Sequence, residues 1–187
     1  MYFKRVYLPF FIFISSFGIA QEANYALSFD GVDDQVKVLS FSDDLNSIDN
    51  LSIEIRFKPE SFTGSSTNTL VRVEGDCENT GEPQIYIGFE FGSSINFGLS
   101  TTSGYSEMSE SLELNSLLDN WNTMTFIYGE NSKEIYLNNV EIGSSGDSQG
   151  EIINCSNTNF FLGSNLSDRY FNGQINELNA STYLGSS

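Results

Sequence analysis

The sequence has no histidine, two cysteines, three prolines and one tryptophan in 187 residues. Each scarcity closes off a class of protein. Without histidine there is no serine–histidine–acid triad and no imidazole to act as general base. Two cysteines and no histidine fall short of the four ligands that a structural zinc site takes. Basic residues are scarce too: eight Lys and Arg stand against 25 Asp and Glu, a net charge of −17. So negative a surface repels phosphate backbones and anionic lipid, which excludes nucleic acid and membrane surfaces as expected partners. After the first twenty residues, no apolar run approaches the ~20 residues of a membrane-spanning helix.

The N-terminus carries a processing pattern. Lys4 and Arg5 precede an apolar run, Val6 to Ile14, broken only by Pro9, and Gly18 and Ala20 supply small residues before a cleavage point. Residues 1–20 read as a secretory signal peptide cut after Ala20, and they predict export. Losing Lys4 and Arg5 leaves six basic residues against 25 acidic ones, a net −19 on the mature chain. Residues 21–181 suit one domain, with 182–187 as a short tail. In an exported protein with two cysteines, a Cys77–Cys155 disulfide is expected, and both sit in polar, loop-like surroundings.

What the chain has in quantity is aromatic residues, 16 Phe and 9 Tyr, spaced in alternation. Ile53, Ile55 and Phe57 share one face of a strand against Glu54, Arg56 and Lys58, and Pro59 is expected to end it. Ile85, Ile87, Phe89 and Phe91 alternate likewise, as do Ile95, Phe97 and Leu99. Met124, Phe126 and Tyr128 follow Trp121. Glu134–Leu137 and Val140–Gly143 flank Asn138-Asn139, a pair that tolerates the positive φ of a primed hairpin turn. Ser109 to Leu118 fits a strand or one helical turn, with strand favoured. Ten to twelve short strands without covering helices predict an all-β protein: two antiparallel sheets packed face to face.

Three stretches in order carry a resemblance: Ala26-Leu27-Ser28-Phe29-Asp30-Gly31 with Val32 to Val36, Leu51 to Pro59, and Trp121 onward through Asn139, Phe161 to Ser164 and Phe171 to Leu178. Together they resemble the laminin-G-like, concanavalin A-like jelly-roll domains of secreted bacterial proteins, over about residues 24–179. The resemblance implies a two-sheet antiparallel jelly roll whose first strand lies beside its last. It also implies binding of carbohydrate or of an extracellular protein partner, with calcium in many members. Where such domains commonly have an aromatic, a Trp, a Gly and an Asp, this chain has Gln35, Arg56, Asn139 and Asn176.

The site candidates follow. Asp30, Asp33 and Asp34 surround a glycine turn that either holds calcium, with Glu177 or Asn176 added across the sheet closure, or is simply a capped turn. Glu74, Asp76, Glu78 and Glu82 form a second acidic stretch, read first as a solvated loop. Trp121 is expected to pack against the sandwich edge, with a sugar-stacking platform as the other reading. Tyr86 and Tyr136 fall on the outward face of their strands and could line a ligand surface with Arg56 and Glu54; Tyr105 and Tyr170 are further exposed-aromatic candidates. Glu54, Glu90, Glu130 and Glu141 offer carboxylates, but none lies in a Glu-x-Asp-x-x-Glu pattern that would pair acid and nucleophile. The expected function is non-catalytic recognition of glycan or a cell-surface partner. A structural or adhesive exterior protein is the alternative and a glycosidase-like enzyme the third.

Overall fold

The computed structural model describes residues 25–41, 45–62, 67–77, 81–129, 132–146, 150–164 and 169–182. Residues 1–20, expected above to be a signal peptide, and most of the tail lie outside them. Twelve strands run in chain order: β1 (Leu27–Asp30), β2 (Val36–Val38), β3 (Leu51–Ser61), β4 (Thr67–Cys77), β5 (Ile85–Glu90), β6 (Ser94–Thr101), β7 (Gly104–Ser111), β8 (Asn122–Gly129), β9 (Ser132–Leu137), β10 (Val140–Ser145), β11 (Cys155–Leu162) and β12 (Asn172–Ser181). Every named pairing is antiparallel.

Two six-stranded sheets result, ordered β1-β12-β3-β8-β9-β10 and β2-β11-β4-β5-β6-β7. The first strand pairs with the last, as a jelly roll requires. Alternation puts the apolar residues between the sheets: Phe57, Phe97 and Phe126 are fully buried and Phe89 nearly so. Rings from opposite sheets meet, Phe57 against Phe89 at 5.6 Å and Phe97 against Phe126 at 5.5 Å between centroids. Such tilted pairs add to the stabilisation from burial alone. Among the described residues no helix is long and apolar enough to cross a membrane.

Three local readings are corrected. Pro59 does not end its strand, because β8 stops pairing with β3 at Phe57 and only β12 continues alongside, opposite Gly173. A missing N–H costs nothing where one flank has no ladder left, and the Pro59 carbonyl accepts the Asp119 N–H instead. The Ser109–Leu118 stretch divides: its start closes β7, and Leu114–Leu117 forms a 3-10 helix that buries Leu114 and Leu117. The cysteines lie at strand ends rather than in loops, directly paired between β4 and β11. They form the expected disulfide, with Cα atoms 4.1 Å apart.

Asn138 and Asn139 both take positive φ, 49° and 68°, and make the tight β9–β10 turn. The side opposite the β1–β12 pairing is closed by a polar tie between the sheets. Lys133 on β9 points inward, fully buried, and its Nζ donates to Ser106 O at 2.9 Å and Oγ at 3.0 Å on β7.

Candidate functional site on the outer face of the second sheet

A single rung crosses all six strands of the second sheet: Lys37, Phe161, Arg72, Tyr86, Gly98 and Glu107 stand side by side. Their neighbours in sequence, such as Val71, Ile85, Ile87 and Phe97, face the core, so period-two alternation turns this rung outward. Outward does not mean exposed here. Tyr86 is only 3% accessible.

The glycines explain how. A Cβ on Gly88 would stand 2.5 Å from Tyr86 Oη, and one on Gly98 would stand 2.1 Å from Tyr105 Oη. Both phenol rings therefore lie down on the sheet in space that only glycine leaves open. Around them is a half-open cavity of about 120 Å³ lined by Arg72, Glu82, Pro83, Tyr86, Glu90, Tyr105, Glu107 and Arg169.

Glu107 is held in place: its Oε1 accepts from Asn96 Nδ2 and its Oε2 from Tyr105 Oη, both at 2.7 Å. Arg72 pairs with Glu74 two residues along its own strand. Tyr86 Oη lies beside the Thr69 hydroxyl, and neither finds any partner beyond the other.

Electrostatics agree. Burial, reinforced by the nearby Glu90 and Glu107 charges, pushes the Tyr86 phenol well above its usual range. Burial and the hydrogen bond to Glu107 do the same for Tyr105. Glu90 is raised by burial and then by Glu107, with Arg169 and Asn96 opposing. Both phenols stay neutral at any ordinary pH, and the carboxylates crowd one another.

The ligand residues expected from sequence are divided between two faces. Tyr86 sits in this cavity on the second sheet, whereas Glu54 and Tyr136 share a rung of the first sheet through Thr125. Arg56 is one step along β3 from them, its guanidinium 5.4 Å from the centre of the Trp121 ring. Tyr136 Oη donates to Glu134 Oε2 at 2.7 Å, a bond that raises its pKa. Tyr170 lies in the segment before β12, its carbonyl accepting from Asn68 Nδ2 at 3.2 Å. Trp121 is not core: it is 37% exposed and packs beneath Arg56 and Lys58.

Sequence reading did not bring Arg72, Glu107 and Arg169 to the site. The alternations Tyr86-x-Gly88-x-Glu90 and Tyr105-x-Glu107 were the available signal, but which strands lie side by side is set by sheet order.

The acidic turn is real as a cluster. Asp30, Asp33 and Asp34 each offer an oxygen, all within 4.8 Å of one another, an arrangement able to coordinate a metal ion. The same carboxylates cap the turn: Asp30 Oδ1 accepts the Val32 N–H at 2.8 Å, and Asp34 Oδ2 accepts the Asp30 N–H at 3.0 Å. Glu177 does not join them. Asp30 is opposite Asn172, five residues earlier on β12, and the Glu177 carboxylate accepts from Asn179 Nδ2 at 2.9 Å. In the second acidic stretch, Asp76 accepts from Asn157 Nδ2 at 2.8 Å, Glu82 lines the cavity, and Glu78 lies outside the described residues.

Comparison with known proteins places this architecture. Residues 30–184 match the family model described as the concanavalin A-like lectin/glucanases superfamily, and the chain belongs to that family. No curated protein sequence matches it.

Solved structures share the fold at low identity. Domains LG4-5 of the mouse laminin α1 chain superpose with a TM-score of 0.63 at 11% identity, covering 83% of this chain and 40% of that one. This chain thus spans well under half of the laminin fragment. The CBM40 of the Ruminococcus gnavus IT-sialidase, bound to α2,3-sialyllactose, gives 0.62 at 10% identity over 86% of this chain and 94% of that one. Domain 4 of an extracellular GH43 arabinanase from Geobacillus stearothermophilus, in complex with arabinotriose, gives 0.58 at 21% identity over 84% and 70%. The fold is thus shared with two modules whose structures hold oligosaccharides.

Proposed function

We propose that this chain is an exported, non-catalytic recognition module that takes a glycan on the outer face of its second sheet. The observation that carries this reading is the pair of tyrosine rings laid flat on Gly88 and Gly98 beside Glu90, Glu107, Arg72 and Arg169. A saccharide presents an apolar ring face and a rim of hydroxyls. A flat phenol meets the first, and carboxylates with guanidiniums meet the second. Two of the structures it resembles hold oligosaccharides, which supports the same reading. None of Glu54, Glu90, Glu130 and Glu141 lies in a Glu-x-Asp-x-x-Glu pattern, which supports binding without turnover.

The Asp30 turn fits a supporting role as a calcium site. Calcium takes six to eight oxygens, and three clustered carboxylates with backbone carbonyls and water supply such a set. Bound there, it would pin the β1–β2 connection without touching the cavity.

A glycan array probed with the mature protein, with and without calcium, tests both statements. Binding lost in Tyr105→Ala and kept in Tyr136→Ala supports the second-sheet site; the reverse moves recognition to the first sheet. A melting temperature unmoved by millimolar calcium removes the metal.

A further inference from the structure

We propose that the cavity between Tyr86 and Tyr105 selects a protonated amine, and that its ligand is a hexosamine whose amino group is free. This rests on the glycan reading above and narrows it.

The first observation is a charge imbalance. Glu82, Glu90 and Glu107 line the cavity with Arg72 and Arg169, and Arg72 is already paired with Glu74. Counting Glu74, four carboxylates face two guanidiniums, inside a protein that is itself strongly acidic. Glu90 is raised first by burial, and the Glu107 charge beside it adds to that shift.

The second observation is the kind of valence left open. Tyr86 Oη is buried with no partner beyond the neighbouring Thr69 hydroxyl, and its ring lines the cavity. The phenol stays neutral, so it can accept through its lone pairs, as do the carboxylates around it. An ammonium is a donor with no acceptor, and it is attracted to the faces of aromatic rings. It satisfies an acceptor-rich, aromatic, negative recess in a way that a neutral hydroxyl or an acidic sugar does not.

Size and shape favour a sugar over a lysine side chain. At ~30 Å³ per water the cavity displaces about four waters, enough for an amine and the ring carbons that carry it. It is half open, with Tyr105 lying flat at its side rather than a channel gripping an aliphatic stem. The same logic disfavours sialylated or uronic ligands.

Calorimetric titration of the mature protein in ~150 mM salt with the β-1,4 disaccharide of glucosamine, its N-acetylated form and cellobiose separates the possibilities. Saturable binding of the amine at least tenfold tighter than of the other two supports the inference. The binding should be lost in Glu107→Gln and weakened in Glu90→Gln, and kept in the control Glu151→Gln, an exposed charge that does not line the cavity. Equal binding of all three disaccharides, lost in Tyr105→Ala, overturns the amine selectivity and leaves the glycan reading standing. Binding of a lysine peptide and of no sugar overturns both. So does no binding of any probe at millimolar concentration, or loss in Glu151→Gln equal to that in Glu107→Gln, which is bulk charge attraction.

Discussion

Tyr105 lies over Gly98 so closely that a methyl group on that glycine would stand 2.1 Å from the phenol oxygen. The clash involves the far end of a half-buried side chain, which can swing away into solvent. Gly98→Ala is therefore expected to change stability by less than about 1 kcal/mol, since alanine also suits a strand better than glycine. Ligand binding should fall at least tenfold, because the ring no longer lies flat. Chemical denaturation and calorimetry on the same variant give the two readings. A folded Gly98→Ala protein with intact binding would detach Tyr105 from recognition.

The core makes a blunter prediction. Phe97 and Phe126 join the two sheets and are both fully buried. Phe126→Ala removes a ring that nothing nearby can replace and should cost about 3–5 kcal/mol. Urea unfolding should show the unfolding free energy reduced by that amount, through a lower midpoint with the slope unchanged.

Cys77 and Cys155 close a loop of 78 residues in sequence separation, from the end of β4 to the start of β11. The double replacement Cys77→Ser with Cys155→Ser should cost about 2–4 kcal/mol, mostly by freeing the unfolded chain. Reducing agent should lower the wild-type melting temperature to that of the double variant and leave the double variant unmoved.

Glu90 gives a pH signature. The charged and polar groups that face it are Glu107 from β7, Arg169 from the segment before β12, Asn96 from β6 and Tyr86 from its own strand. Its folded pKa lies above the ordinary 4.5, so folding favours the protonated form. That contribution to stability is present at low pH and lost as pH rises through the folded value. Glu90→Gln should therefore raise the melting temperature at pH 7 by about 1–2 °C, on the scale at which 1 kcal/mol moves a domain of this size ~2–4 °C. The gain should vanish below about pH 4, where wild type is protonated as well.

The layered architecture was legible because each core strand states its faces locally: Ile53, Ile55 and Phe57, or Ile85, Ile87 and Phe89, need no knowledge of their partners. The Asn138-Asn139 turn was legible for the same reason. β7 was not, because Tyr-Ser-Glu-Met-Ser-Glu-Ser buries only Met108 at an edge of the sheet. Pro59 misled because its fitness depends on where a neighbouring strand stops. The cavity was least legible. Arg72, Tyr86 and Glu107 meet only through the order β4-β5-β6-β7, and Gly98 matters for the ring it admits rather than for its own backbone.

Backbone amide NMR of residues 21–187 during titration with the glucosamine disaccharide tests the account most directly. Recognition on the second sheet predicts shift changes clustered at Tyr86, Gly88, Glu90, Gly98, Tyr105 and Glu107, saturating together. Changes centred instead on Arg56, Trp121 and Tyr136, or on the Asp30 turn, would contradict it.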